Sequence, residues 1–149
     1  MRVTHRIVRG IERALLSQTD HERLARLRHR DEGHGYDVFG MHPDWLGLAR
    51  GVVGPLYRHY FRVSSYGAEH IPNTGPAILI CNHAGTLPID AVMICFDVFE
   101  HTEPPRMPRP VVDYFVPRLP FAGAFLSRVG AVHGARANVR RLIETNQLC

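Results

Sequence analysis

Ile78-Leu-Ile-Cys-Asn-His-Ala-Gly-Thr-Leu-Pro-Ile-Asp90 is the stretch that decides the fold. Extended back by one residue, it begins with an unbroken apolar run, Ala77 to Cys81, preceded by the turn residues Pro72, Asn73, Gly75 and Pro76. A short apolar run between turn signals reads as a strand buried on both faces of a parallel or mixed sheet. A polar loop, Asn82 to Pro88, follows. Asp90 then opens an apolar helix through Ala91, Val92, Met93, Ile94, Phe96 and Phe99. This order sets His83 at the carboxyl end of a buried strand, where the ligand sites of open α/β sheets lie.

Downstream, a Pro-rich link (Pro104, Pro105, Pro108, Pro110) leads to Val111 and Val112, which read as another strand. Residues 117–128 look helical, and Gly130 to His133 reads as a further short strand. Asn138 to Thr145 reads as a helix with Val139, Leu142 and Ile143 apolar. Gln147, Leu148 and Cys149 look like the first residues of one more strand. Upstream, Arg62 to Tyr66 reads as a short strand ended by Gly67. The alternation predicts an α/β architecture, a mixed sheet flanked by helices.

Further upstream, Trp45, Leu46, Leu48, Ala49, Val52, Val53, Leu56, Tyr57, Tyr60 and Phe61 make one broad apolar and aromatic face. Asp44 is the expected N-cap of this helix, and Pro55 should kink or split it. A face this broad must be covered by protein or by lipid. Residues 1–43 form a separate segment. Val3, Ile7, Ile11, Ala14 and Leu15 recur at helical spacing, with Arg2, Arg6, Arg9 and Arg13 largely off the stripe. Such a basic amphipathic helix either lies on an anionic membrane surface or packs its stripe on the domain.

The 149 residues, 45% hydrophobic and 21% charged, suit one globular domain. No apolar run approaches the ~18 residues of a membrane span, and no secretory signal is read at the N-terminus. The basic residues number 18 and all are Arg. Missing Lys fits codon bias or, alternatively, guanidinium binding to phosphate. Positive charge is concentrated in residues 1–30; the remainder is slightly acidic. A nucleic-acid partner is therefore not expected, since the body lacks a recognisable binding module. The three cysteines form no C-x-x-C, so no disulfide framework or zinc knuckle is suggested and a reducing compartment fits. Cys81 and Cys95 read as buried small hydrophobes. The ten histidines are scattered, and no metal site is predicted.

His83 and Asp90 carry the chemistry. A carboxylate bonded to one imidazole nitrogen fixes the tautomer, leaves the other nitrogen as a base and stabilises the imidazolium. No Gly-x-Ser-x-Gly elbow or reactive cysteine accompanies them. The nucleophile is then the substrate's own hydroxyl, which fits direct acyl transfer.

From about Tyr57 onward the chain resembles the 1-acylglycerol-3-phosphate acyltransferase family, whose signature is N-H-x-x-x-x-D. The resemblance rests on Arg62 to Tyr66, on Glu69-His-Ile-Pro-Asn-Thr-Gly75 and on Asn82-His83. It implies a glycerol-3-phosphate acyltransferase-like fold, with His83 as base and Asp90 as its partner. The family spacing would place Asp at Pro88; here Asp90 leaves six intervening residues, in the form His-x-Gly-x-Leu-Pro-x-Asp. Gly130-Ala-Val-His-Gly-Ala-Arg136 resembles a second family block and implies Arg136 as a phosphate ligand, with Asn82, Gly85 and Thr86 also substrate-binding. The implied donor is acyl-CoA or acyl carrier protein, with no cofactor. The implied acceptor is a lysophospholipid, and the implied location is the cytoplasmic face of the cell membrane, peripherally bound. A Pro-Glu-Gly-Thr-Arg type block is absent from the chain. On this resemblance residues 44–149 are an incomplete, C-terminally truncated acyltransferase domain, and the alternative is an inactive fragment that only binds the membrane surface.

Overall fold

Two helices approach closely at the N-terminal end, and glycine makes the approach possible. Helix α1 (Arg2–Leu15) packs along α3 (Pro43–Pro55). A Cβ at Gly47 would stand 2.7 Å from Glu12 Cγ, and one at Gly51 would stand 2.7 Å from Leu15 Cβ. Between them in sequence comes α2 (Gln18–Ala25), started by a reciprocal cap. The Ser17 hydroxyl accepts the Asp20 amide at 3.1 Å and the Asp20 carboxylate accepts the Ser17 amide at 3.3 Å. The computed structural model describes residues 2–83 and 88–149.

The first turn of α3 corrects the expected cap. His42, not Asp44, is the N-cap, its Nδ1 accepting the Asp44 amide at 3.1 Å. Pro43 occupies the first helical position, where a missing N–H costs nothing. Asp44 lies in the first turn and pairs with Arg9 at 3.2 Å. Pro55 ends the α-helical part, and the chain continues as a π-helical turn, Leu56–Tyr60. Residues 62–66 are not the predicted strand. Arg62 sits at φ 48, the Val63 amide bonds back to the Tyr57 carbonyl, and the Ser65 hydroxyl donates to Asp97 Oδ2 at 2.8 Å.

Helix α4 (Ile89–His101) supplies much of the core through Cys95, Phe96, Val98 and Phe99. Its C-terminal carbonyls are capped from α2. Arg23 Nη2 donates to the carbonyls of Phe99 and Thr102 at 2.7 and 2.8 Å. Arg50 of α3 is buried between the rings of Phe96 and Phe99, 4.5 and 4.6 Å from their centroids. It bridges Asp20 of α2 and Glu100 of α4. Three helices are thus tied by one guanidinium whose charge is fully paired, as burial demands.

Among the described residues the regular sheet is small. Strand β1 (Val111–Val112) pairs in parallel with β2 (Val132–His133). Backbone bonds extend this pair sideways. The Arg109 amide donates to the Leu148 carbonyl at 2.8 Å, and residues 147–149 run parallel to 77–79 through bonds involving Ala77, Leu79 and Cys149. The order across the array is therefore 77–79, 147–149, 109–112, 132–133. Leu148, in its middle, is 1% exposed. The expectation of a strand at 147–149 agrees with this pairing.

Ala77 to Cys81 departs from the expectation of burial on both faces. Ile78 is 58% exposed, Ile80 is 92% exposed, and Cys81 is exposed as well. Among the described residues the run is hydrogen-bonded to 147–149 only, and Ala77 and Leu79 are half-buried while Ile78 and Ile80 turn to solvent. Cys95, by contrast, is buried as expected. Helix α5 (Ala122–Arg128) is shorter than the predicted 117–128. A 3₁₀ turn at Val116–Arg118 precedes it and Phe121, at φ 60, breaks the path. Helix α6 (Arg136–Glu144) follows β2 and buries Leu142. The whole is helix-rich with a small parallel sheet. No helix among the described residues is long and apolar enough to cross a membrane.

Candidate active site

The segment from Ala77 delivers His83 to the amino end of α4, and Asp90 stands in the first turn of that helix. His83 Nδ1 lies 2.9 Å from Asp90 Oδ1 and 3.0 Å from Oδ2. A carboxylate only accepts, so Nδ1 carries the hydrogen and donates; Nε2 is left with its lone pair free. Asp90 Oδ1 also accepts the Ala91 amide at 2.7 Å. The positive end of the helix dipole favours an ionised carboxylate at this place. The pair is accessible, with the His83 side chain 52% exposed and that of Asp90 27% exposed.

Asn82 is exposed beside His83. Gly85 and Thr86 lie outside the described residues. Arg136 opens α6 immediately after β2 and is exposed. It lies on the same carboxyl-end edge of the parallel array as His83 but at the other side of it. Three inter-strand spacings separate their segments, about 14 Å. Arg136 makes no hydrogen bond or ion pair with a described residue.

Asp97, two turns along the same face of α4, is committed elsewhere. Its carboxylate accepts from the Tyr57 and Ser65 hydroxyls and lies 3.2 Å from His101 Nδ1. Burial first, and then Asp97, push the Tyr57 phenol upward, so it stays protonated as a donor. A cavity of about 250 Å³ runs along this face, lined by Val63 to Tyr66 and by Met93, Ile94 and Asp97. Sequence reading did not foresee it, because the partners of Asp97 arrive from an irregular segment predicted as a strand. The Cys95 thiol is pushed up to about 12 by burial, with the neighbouring Cys81 adding to the effect. It is no thiolate nucleophile at neutral pH. Among the described residues no group of three or more His, Cys, Asp or Glu side chains is placed to hold a metal ion.

A family model described as Acyltransferase matches residues 62–148, more than half of the chain. The chain belongs to the acyltransferase family. Among its relatives, an uncharacterized protein of Mycobacterium leprae is 31% identical over 124 residues, covering 82% of this chain and 34% of the relative. A Bos taurus protein named as a DGAT1/2-independent enzyme synthesizing storage lipids is 32% identical over 111 residues, covering 72% of this chain and 32% of its own length. The Homo sapiens protein of the same name is also 32% identical over 111 residues, covering 72% and 33%. The chain therefore spans about a third of the length of the curated relatives it matches. No solved structure matches it significantly. The matched region of this acyltransferase family member contains the His83–Asp90 pair, Arg136 and both strands.

Proposed function

We propose that the chain carries the base of a glycerolipid acyltransferase that moves a fatty acyl group from acyl-CoA or acyl carrier protein to the hydroxyl of a lysophosphatidate-type acceptor. The observation that carries this reading is the 2.9 Å contact between His83 Nδ1 and Asp90. His83 Nε2 takes the hydroxyl proton as the acceptor oxygen attacks the thioester carbonyl. The tetrahedral adduct collapses, the C–S bond breaks, and the imidazolium returns the proton to the departing thiolate. Asp90 holds the ring and balances its transient charge. Arg136 binds the acceptor's phosphate with bidentate donors. Asn82, Gly85 and Thr86 contribute to substrate binding.

The reading places residues 1–43, together with α3, at the cytoplasmic face of the membrane, and residues 44–149 as the acyltransferase part. Ile7, Ile11 and Leu15 of α1 and Val52 of α3 are exposed on neighbouring helices, with Leu56 and Tyr60 exposed just beyond. Apolar side chains grouped in this way mark interaction surfaces. That same surface favours a second reading, membrane-surface binding without turnover.

One experiment separates the two. Thioester consumption is measured with the protein on anionic vesicles carrying a lysophosphatidate acceptor. The expected result is turnover that His83→Ala lowers by ~10²–10⁴-fold, the usual worth of a general base, with vesicle co-sedimentation unchanged. Asp90→Asn should lower it similarly, and Arg136→Gln should raise the acceptor KM. Equal turnover in wild type and His83→Ala refutes the catalytic role, while co-sedimentation without any turnover selects the second reading.

A further inference from the structure

At the edge of the sheet opposite His83 lies a cavity of about 380 Å³, within the range of small-molecule sites. It opens at the amino ends of the extended segments. Asn73 and Thr74 precede 77–79, Arg106 and Met107 precede 109–112, and Asn146 precedes 147–149. The segment from Ala77 to His83 runs from this cavity's side of the array toward the candidate active site, and neither His83 nor Asp90 lines the cavity.

Its wall is cationic. Arg28, Arg30 and Arg106 line it with His29, and no Asp or Glu is among its lining residues. The Arg106 guanidinium donates to the carbonyls of Pro72, Gly75 and Asn146. Its charge is met by neutral dipoles rather than by a carboxylate. Burial, and then the proximity of Arg28, push the Arg106 guanidinium below its usual range. Arg28 is exposed and makes no hydrogen bond or ion pair with a described residue. Arg30 is turned outward and paired with Glu32 at 2.9 Å. Two close guanidinium groups at one cavity repel each other unless an anion lies between them. Elsewhere in this chain buried arginines such as Arg50 and Arg109 have carboxylate partners, so the half-buried Arg106, with none among the described residues, is a departure.

We propose that this cavity binds a phosphate monoester, its phosphate held between Arg28 and Arg106 and its organic part against Leu27, Met41 and Met107. Guanidinium forks match phosphate oxygens in bidentate geometry. The Thr74 hydroxyl and Asn73 amide supply neutral donors at the same mouth. The site uses neither His83 nor Asp90, so it stands independently of the acyl-transfer reading.

Calorimetric titration with inorganic phosphate, glycerol 3-phosphate and adenosine monophosphate tests it, alongside co-sedimentation with phosphatidylcholine vesicles with and without phosphatidic acid. Arg28→Glu is the informative variant, because Arg28 has no hydrogen-bond or ion-pair partner among the described residues whose loss would disturb folding. Arg140→Glu on α6 makes the same charge change away from the cavity. The expected result is binding of a phosphate monoester that Arg28→Glu weakens at least tenfold, and that Arg140→Glu and His83→Ala leave within twofold. Arg28-dependent binding of the soluble esters assigns a free organic phosphate; the same dependence with phosphatidic-acid vesicles alone assigns a lipid headgroup. No binding of any probe at millimolar concentration overturns the proposal. So does binding indifferent to Arg28→Glu, or weakened equally by Arg140→Glu.

Discussion

Cys81 and Cys95 flank the His83–Asp90 pair in sequence, yet burial gives them opposite chemistry. Cys95 faces the core of α4 with its thiol pushed up to about 12, whereas Cys81 is exposed. Alkylation by iodoacetamide at pH 8, read by mass spectrometry, should modify Cys81 in the folded protein and Cys95 only after urea is added. Labelling of Cys95 at the native rate of Cys81 would contradict the buried placement. The two aspartates of α4 also divide by their partners. Asp90 meets the His83 imidazole, whereas Asp97 meets two hydroxyls besides His101 on its own helix. The sequence already distinguished them for Asp90, because a histidine seven positions earlier at a strand end makes a recognisable pattern. The partners of Asp97 come from Tyr57 and Ser65, and nothing local in the sequence announces such a meeting. Arg136 was legible as a residue following a short strand. Its separation from His83 depends on strand order, which no local pattern encodes.

Helix existence was legible from periodicity, but the docked side was not. The apolar stripe of α1 was open to packing on the domain or lying on a membrane surface; Ile7, Ile11 and Leu15 are not covered by the domain, and Val8, Glu12 and Leu16 are buried instead. An amphipathic period identifies a helix and leaves open which flank meets a neighbour. Here the flank is chosen by Gly47 and Gly51, which form a groove on α3 at a spacing of four residues, one helical turn. That spacing was present in the sequence and is the signal that could have found the contact. Gly51→Val should place its side chain against Leu15 and destabilise the fold by about 1–3 kcal/mol, the usual cost of overpacking. A lowered urea midpoint measures it. Val52→Ala, on the exposed neighbour, should change stability by less than about 0.5 kcal/mol. Equal midpoints for the two variants would mean that α1 does not dock on this groove. Strands β1 and β2 were also legible, since β-branched valines follow turn residues in both. Residues 62–66 were misread because a short stretch ended by Gly67 is equally compatible with an irregular segment, here held by the Ser65 hydroxyl on Asp97 and the Val63 amide on the Tyr57 carbonyl.

At the scale of the molecule, α2, α3 and α4 are joined through charges that proton concentration controls. Burial alone would raise the Asp20 carboxyl, but the Ser17 hydroxyl and the Arg50 guanidinium outweigh it and hold Asp20 below the ordinary carboxylate range. Burial likewise opposes Glu100, and Arg50 and Arg58 hold it low. A depressed folded-state value means that the stabilisation is fully present above the unfolded values, near pH 4, and is lost as pH falls through the lower folded values. Thermal melts should therefore show a steep loss of Tm below about pH 4. Asp20→Asn should cost about 3 kcal/mol at neutral pH, the low end for breaking a buried pair, because Glu100 still faces Arg50. It should also flatten the acid limb; an unchanged limb would remove Asp20 from this account. Leu148 ties together the other half. It lies between 77–79 and 109, so the centre strip of the sheet is supplied by residues made long after its neighbours. During synthesis residues 77–79 emerge about 70 positions ahead of 147–149, so the pairing around Leu148 waits until that strip has left the exit tunnel. Contacts so distant along the chain form slowly, so the apolar side chains of 77–79 stay open to wrong partners for that interval.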